Sequence, residues 1–306
     1  MSLVVVGSIA LDTIETPFGS IADGLGGTAV YFSTAASIFT RVSLVGVVGD
    51  DFPSEHRAFL AGRNIDTTGL VVAPGKTFRW KGRYDYDLSV AHTLDTQLNV
   101  FSEFHPTLPD AYRNAQYVFL GNIDPDLQLE VLNQIQRPRF TLLDTMNFWI
   151  EGKRGPLTEA IKRVDAVTMN EAEIREYTQM YSLASAARKV MELGPRVILI
   201  KRGEYGSVMV TREGTFIAPA VLLEEVKDPT GAGDSFAGGF MGFLARAHRI
   251  DVPILRQAIV HGGVVASFTV EDFSVGRLAQ ISHDELSHRY AEFQHMTHFE
   301  AIHSSL

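Results

Sequence analysis

The residues in this chain best suited to chemistry form one run, Asp228-Pro229-Thr230-Gly231-Ala232-Gly233-Asp234, which leads into Ser235 to Ala247. Small and large apolar residues mix in that second stretch, and it reads as a helix. Gly231 to Asp234 then sit at its N-terminus, where unpaired N–H groups and the positive end of the macrodipole point outward. Without bulky side chains, an anion can approach those groups closely, as in a phosphate or oxyanion cradle. Asp234 is the odd member, because a carboxylate there would repel a bound phosphate. One reading makes it a base that takes a proton from a hydroxyl nucleophile beside donors that hold a migrating phosphoryl group. The other makes it a plain first-turn acid, as Asp often is.

A second constellation is Asn170-Glu171-Ala172-Glu173, after a strand-like run. Three-residue spacing puts Asn170 and Glu173 on one helix face, where they could order the water shell of a Mg²⁺ ion. The same spacing is that of a capping box. Asp144-Thr145-Met146-Asn147 follows another strand and suits either phosphate and metal waters or turn chemistry. Lys201 to Gly206, with glycines at 203 and 206, joins two strands as a hairpin-type connection and could also lie along a nucleotide.

These residues need a scaffold, and the chain supplies a βα rhythm. Leu3 to Val6, Ser43 to Gly49, Tyr117 to Gly121, Phe140 to Leu143, Ala166 to Met169, Val197 to Ile200 and Ser207 to Val210 are short apolar runs. Amphipathic stretches separate many of them, notably Asp126 to Gln136, Glu171 to Met180 and Leu183 to Leu193. Such alternation specifies a mostly parallel sheet covered on both faces, with ligands beyond the carboxyl ends of its strands. Asp12, Asn122, Asp144, Asn147, Asn170, Lys201 and Gly203 fall there. Gly24-Leu25-Gly26-Gly27 precedes a helical stretch, Thr28 to Phe39, as loop punctuation or as a place for a ligand to lie against backbone. Thr77 to Phe101 alternates and is rich in aromatics, including Phe78, Trp80, Tyr84 and Tyr86. That pattern suits antiparallel strands with one wet face, and with Ile9 to about Phe18 it reads as a small projecting sheet.

Several classes drop out. Gly69 to Thr77 ends in Gly-Lys-Thr, but five residues separate Gly69 from Gly75 where a P-loop has four, and no helix follows. No Gly-x-Gly-x-x-Gly follows a strand. The 306 residues include no cysteine, which excludes disulfides and thiolate metal sites. A formal net charge of −9 gives no footprint for nucleic acid. No apolar run approaches the ~20 residues of a membrane helix. The expected compartment is the cytoplasm, since Leu3 to Val6 lacks a basic flank and reads as a strand. His283, His288, His295, His298 and His303 suit a solvated terminal helix better than a metal site.

Together these residues resemble the ribokinase-like family, the PfkB carbohydrate kinases. Asp228 to Gly239 is similar to the family's C-terminal signature almost residue for residue. The resemblance implies one α/β domain over 1–306, a doubly covered, mostly parallel sheet with lid segments near 9–20 and 77–102. It implies ATP-dependent phosphorylation of a hydroxymethyl group on a sugar or small polyol, or on a nucleoside. Asp234 would be the base, and the Gly231, Ala232 and Gly233 N–H groups would hold the phosphoryl group. Asn170 and Glu173 would organise Mg²⁺ waters, while Lys201, Gly203, Gly206, Thr230, Ala258 and Gly262 would border the nucleotide. Asp228, Thr230 and the loop Phe273 to Gly276 would take a monovalent cation such as K⁺. Asp12, Gly26, Gly27 and Tyr31 would meet the acceptor, Tyr31 standing where members usually carry Asn. A homodimer through the lid is a further expectation. The alternative outside the enzymes is a ligand-binding regulator that kept the fold and lost catalysis.

Overall fold

The computed structural model describes residues 2–300. In chain order, β1 (Leu3–Val6), β2 (Ala10–Thr16) and β3 (Gly19–Gly26) precede α1 (Thr28–Ala36), β4 (Val42–Gly49), α2 (Ser54–Ala61) and β5 (Ile65–Ala73). The hairpin strands β6 (Phe78–Tyr84) and β7 (Ala91–Gln97) come next. After them run β8 (Tyr117–Leu120), α3 (Pro125–Gln134), β9 (Phe140–Asp144), α4 (Asn147–Gly152), α5 (Arg154–Ile161), β10 (Ala166–Asn170), α6 (Glu171–Thr178) and α7 (Leu183–Met191). The chain continues through β11 (Val197–Lys201), β12 (Ser207–Thr211), β13 (Gly214–Ala218), α8 (Ala232–Ala247), α9 (Val252–Thr269) and α10 (His283–Thr297).

Nine strands form the main sheet in the order β13-β12-β11-β10-β9-β8-β1-β4-β5. Along that order the seven strands from β11 to β5 are parallel, and β12 and β13 run antiparallel at one edge. All four residues of β1 are buried because both faces are covered: Leu3 and Val5 join one core with α1, α8 and α9, while Val4 and Val6 join the other. β1 lies between β4 and β8, so the strand order reverses there and opens a crevice at the carboxyl ends.

The second sheet, β3-β2-β6-β7, is the lid. Its segments extend beyond 9–20, because Gly24 to Gly26 are strand and not loop. β3 carries three glycines and Asp23 at φ 52 and shows no apolar alternation; its pairing with β2 makes it a strand. The edge strand β13 and the short helices α4 and α5 also exceed what the apolar pattern marked. The helix after Gly27 ends at Ala36, three residues before Phe39. His283, His288 and His295 lie on α10 and His298 caps it, whereas His303 is outside the described residues.

Candidate active site

α8 begins at Ala232 with Gly231 as its N-cap, at φ 76. A Cβ on Gly231 would stand 2.4 Å from the Tyr31 ring, so both the left-handed backbone and the close approach require glycine. Ala232 N–H is engaged, donating to Pro229 O at 3.2 Å. This corrects the expected trio of donors, because the turn that starts the helix consumes the middle one. The N–H groups of Gly233 and Asp234, in the first turn, have no carbonyl one turn back within the helix to receive them.

Around this helix start three carboxylates and one ammonium converge. Lys201, at the end of β11, places Nζ 3.0 Å and 3.1 Å from the two oxygens of Asp144, at the end of β9. The same Nζ lies 3.2 Å from where a Gly233 Cβ would be, so the charge is delivered to the helix N-terminus. Burial works against the Lys201 charge, but Asp144, Glu173 and Asp234 outweigh it and hold the ammonium above its ordinary range. Desolvation, then the charge on Asp144, pushes Asp234 up to about 7, against the pull of Lys201 and the Thr28 side chain. A carboxyl balanced there is suited to accept a proton near neutral pH.

Asn170 and Glu173 form a capping box: Asn170 Oδ1 accepts Glu173 N–H at 2.8 Å and Glu173 Oε2 accepts Asn170 N–H at 2.7 Å. Burial, reinforced by Asp144, raises Glu173 to about 7 despite Lys201. A buried carboxylate beside two others is in want of positive charge, which fits a divalent ion nearby. Among the described residues no three His, Asp or Glu side chains converge tightly enough to grip a metal ion directly. The group fits an ion held through water.

The residues expected to meet an acceptor lie on β2, β3 and α1 and in the turn before it. Asp12 is buried on β2, and desolvation with the Asp228 charge pushes it up to about 7, against the Gly27 N–H directed at it. Gly26 is glycine because a Cβ there would meet Asp12 Oδ2 at 1.9 Å. Gly27, at φ 92, is the N-cap of α1 and packs on Ser8 O. Tyr31 is buried on α1, its ring supports the Gly231 loop, and its hydroxyl lies within the field of Asp12, Asp228 and Asp234. Its hydroxyl has no hydrogen-bond partner among the described residues.

Asp228 Oδ1 accepts Thr230 N–H at 2.9 Å, whereas its Oδ2 is buried without a partner among the described residues. An orphaned carboxylate oxygen is what a cation would satisfy, and the Ser274 backbone, at φ 56, donates to the same carboxyl. Of the residues expected to border a nucleotide, Gly203 is open, with nothing within 4 Å of an added Cβ. Gly206 is a hairpin position whose Cβ would meet Ala218 O at 2.1 Å. Ala258 is fully buried, and a Cβ on Gly262 would meet Phe236 O at 2.7 Å. Gly262 therefore packs α9 against α8 and Ala258 lies in the core, while the neighbouring Gly263 is the open position. Sequence reasoning passed over Thr28 and the reach of Tyr84 to Thr230; Thr28 carried the one available signal, its place beside the Gly26-Gly27 pair.

The pfkB family carbohydrate kinase profile matches residues 2–280. A cytidine kinase from Thermococcus kodakarensis is 32% identical over 257 residues, covering 82% of this chain and 91% of that protein. A nucleoside kinase from Methanothermobacter thermautotrophicus is 27% identical over 262 residues, covering 81% and 78%. The nucleoside kinase structure from Methanocaldococcus jannaschii, described as an archaeal member of the ribokinase family, superposes with a TM-score of 0.75 at 21% identity over 95% of this chain and 98% of that one. This chain belongs to the PfkB family of carbohydrate kinases. It is a sugar or nucleoside kinase with the ribokinase fold, and the reading as a non-catalytic regulator falls away.

Proposed function

We propose that the protein transfers a phosphoryl group from ATP to the hydroxymethyl group of a nucleoside. This reverses the order in which sequence alone ranked sugars and nucleosides. The observation that carries it is the lid face above Asp12. Trp80 is in register with Asp12 across the parallel β2–β6 pair, and registered neighbours share a face. The indole lies across Gly82, whose Cβ would be 2.1 Å from the ring, and Nε1 donates to Thr93 Oγ1 at 3.2 Å. A flat aromatic surface is thus fixed beside a carboxylate suited to sugar hydroxyls. Ribose on Asp12 with its base stacked toward Trp80 uses both; a hexose uses one. The cytidine and nucleoside kinases among the relatives support the same reading.

In this reading Asp234 removes the acceptor proton, and the Gly233 and Gly231 N–H groups with Lys201 steady the phosphoryl oxygens. Asn170 and Glu173 would orient the waters of Mg²⁺, which supplies charge neutralisation on the nucleotide phosphates. Asp228 and the Thr230 region would hold a monovalent cation beside the helix start. Gly203 and Gly263 would border the nucleotide. The lid carries exposed apolar side chains, Phe18, Val90, Leu94 and Leu98, and every residue of β7 is exposed, which supports a homodimer through it. Light scattering at micromolar concentration tests that part.

The substrate assignment is tested with Trp80→Ala. Stacking of a base on an aromatic ring is worth about 1–3 kcal/mol, so the nucleoside KM should rise roughly tenfold or more with kcat little changed. An unchanged nucleoside KM would remove the base from the lid face.

A further inference from the structure

We propose that Tyr84 is a positioning residue through which closure of the lid sets the phosphoryl-binding loop. The inference rests on the reading of the Gly231 to Gly233 turn as the phosphoryl site.

Three lid strands reach the segment before α8 and the loop after α9. From β2, Thr16 Oγ1 donates to Lys227 O at 2.9 Å. On β3, Leu25 O accepts from Ser274 Oγ at 2.5 Å. At the end of β6, Tyr84 Oη accepts from Thr230 Oγ1 at 3.1 Å. The first two bonds end outside the glycine turn. The third ends on Thr230, the residue directly before Gly231, and joins positions 146 apart in the chain.

The turn is held from its other sides by rigid neighbours. Tyr31 supports Gly231 from α1, and Asp228 Oδ1 fixes the Thr230 N–H. Both belong to the main domain. Tyr84 is different because it stands on the lid sheet, and lifting that sheet would break its bond to Thr230. Tyr84 shares the acceptor-facing side of β6 with Trp80 and Gly82, by the two-residue alternation of a strand. A substrate that draws down this face therefore brings the tyrosine hydroxyl onto the loop. Binding of the acceptor and completion of the phosphoryl site become one event, which disfavours transfer to water when no acceptor is present.

The test is steady-state kinetics with Mg-ATP and the best acceptor, on Tyr84→Phe, Thr230→Val, Thr230→Ser and Tyr84→Phe/Thr230→Val. Tyr84→Phe should lower kcat about tenfold, the size of one hydrogen bond at the upper end of its net range, with the KM values for acceptor and ATP within about twofold of wild type. The double variant should be no slower than Thr230→Val alone, and Thr230→Ser, which keeps the hydroxyl, should lose less kcat than Thr230→Val. A raised acceptor KM at unchanged kcat would make Tyr84 a substrate contact and overturn the proposal. Wild-type constants in Tyr84→Phe, or losses that multiply in the double variant, would overturn it too. Should Tyr84→Phe melt several degrees early, the comparison of Thr230→Val with Thr230→Ser carries the test: equal losses refute it. Asp234→Asn, run alongside, separates the two claims, since full turnover there would refute the phosphoryl-site reading and not the lid contact.

Discussion

Replacing Asp234 by Asn should abolish turnover and at the same time strengthen the fold. A positioned general base contributes about 10²–10⁴-fold to a rate, so kcat should fall by at least about a hundredfold. The stability effect comes from the same crowding. Desolvation and the Asp144 charge move the Asp234 carboxyl from an ordinary 3.8 to about 7. By linkage such a displacement corresponds to about 4 kcal/mol against the ionised fold at high pH, and partial exposure with solvent screening reduces it to about 1–2 kcal/mol. The sign follows from proton binding: a carboxyl whose pKa is raised on folding binds its proton more tightly in the folded state. Its cost is absent below the unfolded pKa and grows as pH rises through about 7. Asn keeps the shape and removes the charge, so at about pH 8 the variant should melt about 2–5 °C above wild type. Toward about pH 4 that advantage should vanish. The assay is a pair of thermal melts across pH with kcat measured on the same preparations. A variant that melts lower than wild type at about pH 8, or that turns over normally, would refute the reasoning.

Further substitutions probe the surrounding charges. Lys201→Met leaves Asp144 buried without its partner and should cost about 3 kcal/mol by urea unfolding, with kcat also reduced; an unchanged denaturation midpoint would contradict the ion pair. Glu173→Gln keeps an acceptor for the Asn170 N–H, so the melt should hold while the Mg²⁺ needed for half-maximal rate rises roughly tenfold. An unshifted Mg²⁺ titration would leave Glu173 as a cap only. Gly231→Ala forces a Cβ toward the Tyr31 ring at a φ of 76; it should lose about 2 kcal/mol of stability and roughly a hundredfold in kcat, and a benign result would show that the turn is not needed in this form.

How much of this was legible in the sequence depends on how local each signal is. Asp228 to Asp234 announces itself because a turn, small residues and a helix start are all encoded within a few positions. Asn170 and Glu173 are legible for the same reason, down to the reciprocal capping bonds. The Lys201–Asp144 pair is not, since its partners lie 57 residues apart and only the β9-β10-β11 register brings them together. Ala258 and Gly262 carry a small-residue signal at helical spacing, but close helix packing leaves the same trace as a ligand wall, and Gly262 lies against Phe236 of α8. Tyr31 reads as a substitution in a substrate position, and nothing near it in sequence shows that its ring also lies against Gly231. β3 was hidden because glycines and Asp23 replace the alternation of a strand; only its partner β2 holds it in line. Tyr84 is one aromatic among several in the lid, and nothing near it in sequence singles out Thr230.

Phosphoryl transfer to a nucleoside is tested most directly by ADP release from Mg-ATP across a panel of nucleosides, free pentoses, hexoses and polyols. Nucleosides should lead by roughly a hundredfold or more in kcat/KM, the worth of base stacking together with the alignment it brings to the hydroxymethyl group. A hexose or free pentose that outranks every nucleoside would contradict it.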